Sequence, residues 1–437
     1  MIVICFGWTF DLVQNAIVQN QDQFDVEIKN SIFFQIFVSR GVQTALEINY
    51  LICGISQAVS FLHKCQGNAS TLYDCFQFII KRLFKLVPIY YITFFLTAYG
   101  VKYFGQGPLW HYFDKVLEPC QNAENVMANL LIINNFYPQF GEDKSMCMPW
   151  TWFVPIYLQM SIITPFVIYF MQKSYLICIP IQVVVIALGT LIVQGVQIAI
   201  YDTGISPVFD KSYWNQIYTK PWFFINIHIG LGVLFGMFLK NHMDIIQRLD
   251  LGGRYENSLS YTALTYIKKM YVIRLLLILI GLVLWIGFNH LLGYKLMSLK
   301  ESWGETAQIL YGVCRAPISL IGICIILLPL MLSKFRIVRY FLISRGFIIL
   351  SHLSFGIYLW YPLMVLSYLF QMHQMVTISY MSIFYYFLGS FILSILISYA
   401  IFMLVEAPII ALLNIYQEAT DIKDGNKKIK FKYEFIK

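Results

Sequence analysis

The sequence predicts an all-α integral membrane protein: a single bundle of about ten transmembrane helices, with a large outer loop between spans three and four. Hydrophobic residues make up 59% of the chain and charged residues only 12%, which is about half the charged share of a soluble domain. The apolar residues form segments of roughly 17–25 residues, the length that crosses a hydrocarbon core of about 30 Å. Basic residues collect in alternate loops, as the positive-inside rule predicts for such a bundle.

The predicted spans follow one another along almost the whole chain. The first is the weakest, because Asp11, Gln14 and Asn15 interrupt its apolar run. The ten segments are 1–19, 42–63, 86–104, 150–172, 174–200, 222–239, 272–290, 316–332, 347–370 and 381–404.

The charges of the loops test this order of spans and orient the bundle. The loops after spans two, six and eight and the tail carry four, six, four and six Lys or Arg residues. The outer loop after span three carries five acids against two lysines. All four basic segments fall on one side of a ten-span bundle. We therefore expect both termini on the cytoplasmic side, or on the matrix side if the membrane is the mitochondrial inner membrane.

The predicted domain organisation is one transmembrane domain, residues 1–412 with its outer loop at 105–149, followed by a lysine-rich tail, residues 413–437. The tail is a solvated segment, a site for anionic lipid or a dock for a partner. We expect no nucleic-acid partner, because the net charge of +8 lies in loops and tail as topology signals. No CxxC pair occurs, so we expect no metal site. The start, MIVICFGWTFDL, lacks a basic leader, so we expect no cleavable signal peptide.

Two cysteines, Cys120 and Cys147, fall in the acidic outer loop. An oxidising outer compartment would let them form a disulfide and close that loop. The alternative is two free thiols.

Several elements, spread in order over nearly the whole chain, resemble the acyltransferase type 3 family and most closely its eukaryotic nose-resistant-to-fluoxetine branch. They are KRLFKLVPIYY (81–91), GPLW (107–110), Cys120, NLLIINNF (129–136), CMPWTWF (147–153), Gln159, Pro165, YTKPW (218–222), CRAP (314–317), LSHLSFGIYLWYP (350–362) and VEAP (405–408). Members of the family have about ten spans, which agrees with the count from hydropathy.

The resemblance implies transfer of acyl groups, commonly from acyl-CoA, to hydroxyls of sugars, lipids or other acceptors. It places a His in the first span as the base, and a base is needed because a hydroxyl is a poor nucleophile until a neighbour takes its proton. Acyl-CoA is the one cofactor that an active enzyme would need. Its phosphates would explain basic residues at the cytoplasmic face.

This chain departs from the family at the proton-handling positions. Trp8 stands at the family's first-span His, Tyr361 at its second His and Tyr157 at an acidic position. An indole nitrogen only donates a hydrogen bond and cannot accept the proton. Lys85 replaces the second Arg of the family's basic stretch, which keeps the charge and loses the fork that suits phosphate. The packing residues are retained, so we predict no catalytic residue and a catalytically degenerate member.

Some polar residues remain within or near the predicted spans. Glu47 is either a contact for substrate or the partner of a buried Arg or backbone group. Arg315 and Glu406 lie near span ends, where they cap helices, pair with each other or bind headgroups. Arg82 and Lys85 are candidates for an anion or a lipid headgroup, although Arg82 also serves as a topology signal.

Two histidines, His228 and His352, are the best candidates for burial in the bundle. Neither falls on a His position of the family. A hydrogen-bonded structural role is therefore the favoured interpretation for both.

Three functions compete. The leading hypothesis is an accessory subunit of a larger membrane complex, with membrane lipids and other subunits as partners and a mitochondrial respiratory assembly as one setting. The second is an active O-acyltransferase that moves an acyl group from acyl-CoA to a lipid or sugar hydroxyl. The third is a carrier of lipid or another small molecule. An endomembrane or plasma membrane location fits the sequence as well as the mitochondrial inner membrane.

Overall fold

The computed structural model describes most of the chain, and no β-strand occurs among the residues it describes. These residues are 1–14, 19–23, 31–34, 38, 41–65, 70–137, 146–190, 226–250, 265–267, 269–292, 305–332, 340, 344–413 and 415. The YTKPW element, nearly all of the lysine-rich tail and parts of the basic loops after spans six and eight lie outside them.

The described residues form twelve main helices. They are α1 (Ile2–Gln14), α2 (Gly41–Cys65), α3 (Leu72–Phe95), α4 (Trp110–Leu117), α5 (Ala123–Leu130), α6 (Phe153–Lys173), α7 (Tyr175–Thr190), α8 (Leu234–Asp250), α9 (Tyr271–Leu282), α10 (Glu305–Leu332), α11 (Arg345–Phe370) and α12 (Tyr380–Ile401). Wider π-helical turns adjoin four of them, at Leu96–Gly100, Asn226–Val233, Val283–Leu291 and Phe402–Glu406.

Six helices of the described part are long and apolar enough to cross a membrane, so the chain is a helical integral membrane protein. They cover Gly41–Cys65, Pro149–Lys173, Tyr271–Leu291, Ile309–Met331, Arg345–Phe370 and Tyr380–Leu413. Shorter apolar helices lie at Ile2–Val13 and Pro180–Gly189. Each predicted span overlaps a helix of the described part.

The start of α3 departs most from the predicted spans. The Asp74 N–H donates to the Thr71 hydroxyl at 3.2 Å, and the Thr71 N–H donates to the Asp74 carboxylate at 3.0 Å. This reciprocal capping box starts the helix well before residue 86, where the span was predicted to begin. Arg82 and Lys85 therefore lie on the helix rather than in a loop.

Close backbone approach joins α2 to the 226–250 segment. A Cβ added at Gly54 would lie 2.2 Å from the carbonyl oxygen of His228, and one at Gly236 would lie 2.8 Å from the Cβ of Ala58. Gly232 likewise lies against the backbone of Gly54. Small residues spaced four apart on both partners are typical of membrane helices that pack tightly. This packing joins α2 closely to the 226–250 segment.

Successive helices of the chain run in opposite directions wherever the contacts of the described part define their directions. In chain order, α2 runs parallel to α6, α3 runs antiparallel to α6, and α9–α10 and α11–α12 are antiparallel pairs. For α2 and α6 the defining contacts are Tyr50–Phe153 and Gln57–Ser161, and for α3 and α6 they are Cys75–Pro165 and Arg82–Tyr157. For α9 and α10 they are Gly281–Gly322 and Asn289–Arg315. For α11 and α12 they are Gly356–Ser398 and Tyr368–Tyr386. An up-and-down arrangement of membrane helices needs this alternation.

The segment between α3 and α6 is held to α3 by polar contacts and is closed on itself by a disulfide. Tyr90 of α3 donates to the Asn129 side chain at 2.8 Å, and Tyr91 donates to the Leu130 carbonyl at 2.5 Å. Cys120 and Cys147 are joined by a disulfide across this segment. α5 is thereby fixed against α3.

Candidate functional site

Trp8, which the resemblance aligns with a His of the acyltransferase type 3 family, is an aromatic ring in the core. Trp8 on α1 is 9% exposed, and its ring centre lies 4.9 Å from that of Tyr358 on α11. The Tyr358 hydroxyl donates to the Trp150 carbonyl at 2.6 Å, which holds the second ring in place. α1 and α11 thus meet through packed aromatic rings at this position.

Tyr361, which the resemblance aligns with a second His, is also packed in the core. Tyr361 is fully buried, and its ring packs against those of Phe387 and Phe391 on α12. The Thr9 hydroxyl donates to the Cys5 carbonyl at 3.0 Å, so it accepts a hydrogen bond from the Tyr361 hydroxyl. Trp8 and Thr9, which are neighbours on α1, thus contact Tyr358 and Tyr361, which lie three residues apart on α11.

Tyr157 joins the same aromatic core from α6. Its ring stacks on Phe153 at 6.2 Å with an interplanar angle of 9°. The Phe153 ring lies 5.1 Å from Tyr358, the ring that also contacts Trp8. Trp8 and Tyr157 are thus linked by one run of packed rings through Tyr358 and Phe153, while Tyr361 is linked to α1 through Thr9.

Trp8, Tyr157 and Tyr361 have little capacity for acyl transfer. Trp8 can only donate through its indole nitrogen, and tyrosine hydroxyls are neutral near pH 7 because their ordinary pKa is about 10. The Tyr361 hydroxyl is engaged with Thr9, and the Tyr157 hydroxyl accepts from Arg82. None of the three groups is suited to take a proton from an acceptor hydroxyl.

Arg82 and Lys85, the predicted anion site, have different partners for their charged groups. Arg82 is half-buried, and its Nη1 donates to the Tyr157 hydroxyl at 3.3 Å. Lys85 lies 3.4 Å from the carboxylate of Glu406, which is itself buried. Glu406 therefore pairs with Lys85 and not with Arg315.

The assignment of Arg315 to headgroup binding needs correction. Arg315 and Glu47 have no exposed surface. The guanidinium donates to both carboxylate oxygens of Glu47, one of them at 3.3 Å, and to the Asn289 side-chain oxygen at 2.9 Å. Asn289 in turn donates to the Thr44 hydroxyl. Since bidentate pairing and burial take this Arg out of reach of lipid headgroups, its role is to join α2, α9 and α10.

A second buried polar cluster surrounds His228. Its Nε2 lies 3.2 Å from the Gln57 side-chain oxygen and 3.3 Å from the Thr164 hydroxyl. The Gln57 amide donates to the Ser161 hydroxyl at 2.7 Å. His228 has no exposed surface, so a bound substrate could not reach it without opening the helix contacts around it.

Sequence reasoning named His228 but missed its partners. Ser161 and Thr164 lie three residues apart on α6, on the face that carries Tyr157. That spacing could have indicated a polar helix face. His352, predicted to be buried with His228, is exposed, and its ring lies 6.4 Å from that of Phe402.

Among the described residues, no group of three or more His, Cys, Asp or Glu side chains is arranged to hold a metal ion. Comparisons with protein-family models, with curated proteins and with solved structures found no match.

Proposed function

We propose that the chain is a catalytically degenerate, acyltransferase-3-like membrane protein that serves as a structural accessory subunit of a larger membrane complex. The observation that carries the proposal is the packing of Trp8 against Tyr358, where the resembled family has its histidine base. Transfer to a hydroxyl needs a group that takes its proton. An indole fills the space and supplies no such group.

The other two substituted positions support the same proposal. Tyr361 fills the core and is bonded to Thr9, and Tyr157 stacks on Phe153. Loss of proton-handling groups together with retained packing is the pattern of a fold kept for its shape. Such a protein is useful mainly through the surfaces it offers to other subunits.

The membrane arrangement that we propose has ten spans, both termini on the basic side and the 105–149 loop on the other side. The alternating helix directions in the described part support this arrangement. A disulfide between Cys120 and Cys147 fits a loop in an oxidising compartment. The lysine-rich tail would then lie on the side where partners or anionic lipid can bind it.

The specific setting that we propose is the mitochondrial inner membrane, in a respiratory assembly. The test is purification of the tagged native protein in a mild detergent, followed by native electrophoresis and mass spectrometry of the band. We expect one assembly of fixed composition far above the 50.9 kDa of the chain. Migration of the chain alone, at its own mass plus detergent, would contradict the subunit proposal.

The composition of the same purified assembly tests the respiratory setting separately from the role as a subunit. An assembly whose other members are respiratory subunits supports the proposed setting, and an assembly from another membrane contradicts it while leaving the subunit proposal intact. The double variant Trp8→His, Tyr361→His tests the packing part of the proposal, because it places the histidines of the resembled family at both positions. We expect it to lower assembly yield, because polar rings replace the packed aromatic contacts.

A further inference from the structure

A line of polar side chains runs along one side of α2. Asn49, Cys53, Ser56, Ser60 and His63 follow one another at intervals of four, three, four and three residues, which puts them on one helix face. Asn49 and Cys53 are half-buried, and the other three are exposed. This polar face of α2 covers about 20 Å, given a rise of about 1.5 Å per residue. Polar groups are costly against lipid tails, so the face calls for water or a polar ligand.

The polar face borders a groove between α2 and α3. Near the loop that joins the helices, Lys64 donates to Gln77 at 2.6 Å, and the rings of Phe61 and Phe78 lie 5.4 Å apart. Farther from that loop, α6 packs against both helices, whereas α2 and α3 make little backbone contact with each other. The groove therefore has α2 and α3 as its walls and α6 as its floor.

Arg82 joins the α3 wall to the floor of this groove. Its Nη1 donates to Tyr157 of α6 at 3.3 Å, and its guanidinium carbon lies 5.3 Å from the centre of the Phe78 ring. Tyr157 lies one helical turn before Ser161, which accepts from Gln57 of α2 at 2.7 Å. Arg82 therefore lies near the part of α2 that carries Ser56. A guanidinium has five N–H donors. The bond to Tyr157 uses one, so most of them remain for a ligand.

The charge of Arg82 has no acid to balance it in the described part of the chain. The carboxylates that form ion pairs there bind other cations: Asp74 binds Lys64, Glu406 binds Lys85 and Glu47 binds Arg315. Tyr157 belongs to the membrane-crossing helix Pro149–Lys173, which sets Arg82 at membrane depth. A cation at that depth is stabilised by an anion.

We infer that the groove between α2 and α3 binds the phosphate of a membrane phospholipid, with Arg82 as the group that contacts the phosphate. A guanidinium binds phosphate through two parallel, charge-assisted hydrogen bonds. The hydroxyls of Ser56 and Ser60 on the polar face of α2 offer hydrogen bonds to the rest of the headgroup. Ile52, which is 50% exposed beside this face, offers apolar surface to an acyl chain.

A lipid fits this groove better than soluble phosphate for two reasons. Two of the helices that form the groove, α2 and α6, are long and apolar enough to cross a membrane, and its cation lies at the depth of Tyr157 on α6. A lipid reaches that depth from within the bilayer, whereas a soluble anion needs a water-filled path. The inference goes beyond the proposed function, since a structural subunit need not bind a lipid here; its failure would leave that proposal standing.

Native mass spectrometry of the delipidated full-length chain tests the inference, with palmitoyl-oleoyl phosphatidylglycerol added in detergent. We expect one preferred lipid per chain in the wild type. Arg82→Gln should weaken its binding about tenfold or more, because hydrogen bonds to a charged group are lost. Lys81→Gln is the matched control, since it removes one exposed cation from the adjacent position, and it should bind lipid as the wild type does.

Two further measurements test the polar face and the lipid separately. Ser56→Leu with Ser60→Leu changes the polar face without removing a charge, and we expect it to weaken lipid binding also. Inorganic phosphate at the lipid's concentration should not displace the lipid. Equal binding by Arg82→Gln and the wild type, or equal binding by the double leucine variant, overturns the inference. Displacement by inorganic phosphate overturns the assignment to lipid. If Arg82→Gln does not fold, Arg82→Lys serves in its place, and undiminished binding by that variant contradicts the role of the guanidinium fork.

Discussion

Arg315 donates two hydrogen bonds to the carboxylate of Glu47, and neither side chain has any exposed surface. The pair joins α2 to α10 within the bundle, and Asn289 adds a third helical segment to it. A buried pair of this kind costs a great deal of desolvation and is stable only when both partners are present. The bundle should therefore be sensitive to the removal of either partner.

Loss of one partner of the Glu47–Arg315 pair should be far more damaging than loss of both. We expect Arg315→Met alone to lower stability by about 3–5 kcal/mol, because it leaves the Glu47 carboxylate buried without its partner. Adding Glu47→Leu should recover most of that loss. Thermal unfolding of the purified variants in one detergent measures both the loss of stability and its recovery. Arg345→Met, at the exposed start of α11, is the control. A double variant no more stable than Arg315→Met would contradict the pairing.

The close approach of α2 to the 226–250 segment should tolerate no side chain at Gly54. A Cβ there would lie 2.2 Å from the backbone oxygen of His228. We expect Gly54→Ala to lower stability by about 3 kcal/mol, at the upper end for overpacking. Gly389→Ala is the matched control, because nothing lies within 4 Å of its Cβ and alanine favours helix by about 1 kcal/mol. Similar melting temperatures for the two variants would show that α2 does not pack this closely.

The Tyr361 hydroxyl should contribute to stability only modestly. Tyr361→Phe removes the hydrogen bond to Thr9, whose own hydroxyl still donates to Cys5. We expect a loss of about 1 kcal/mol, the usual net value of one hydrogen bond. Tyr368→Phe, at a side chain 51% exposed on the same helix, should have no measurable effect on the melting temperature. An equal loss in both variants would argue against the contact with Thr9.

The disulfide should stabilise the segment between α3 and α6. We expect the double variant Cys120→Ser, Cys147→Ser to lose about 2–4 kcal/mol, because the unfolded chain regains the freedom that the cross-link removes. Cys178→Ser, at a cysteine outside the disulfide, is the control. Thermal unfolding with and without reductant checks the result. A melting temperature of the wild type that reductant does not change would contradict a stabilising disulfide.

Hydropathy located the membrane helices well because their apolar runs are long, as the match between 150–172 and Pro149–Lys173 illustrates. It placed the start of α3 too late, since charged residues such as Arg82 argued for a loop. Thr71 and Asp74 cap the helix before those charges. Capping is a local signal that a hydropathy window averages away.

The candidate site was predictable only in part. The resemblance named Trp8, Tyr157 and Tyr361, but sequence alone could not show that Phe153 and Tyr358 would link the rings of Trp8 and Tyr157. The partner of Arg315 depended on which helix lies beside α10. Glu47 is 268 residues away in the chain, and no local pattern connects two positions so far apart.

The central claim is that Trp8, Tyr157 and Tyr361, which the resemblance assigns to proton-handling positions, are packed aromatic rings, and we propose that they perform no acyl transfer. Incubation of the purified wild-type protein with radiolabelled acyl-CoA and membrane lipids tests it most directly, with Tyr361→Phe assayed beside it. We expect no labelled acyl product above the level without protein, in the wild type and in the variant. Turnover by the wild type would contradict the account and identify an active acyltransferase, and its loss in Tyr361→Phe would assign the hydroxyl a part in the reaction.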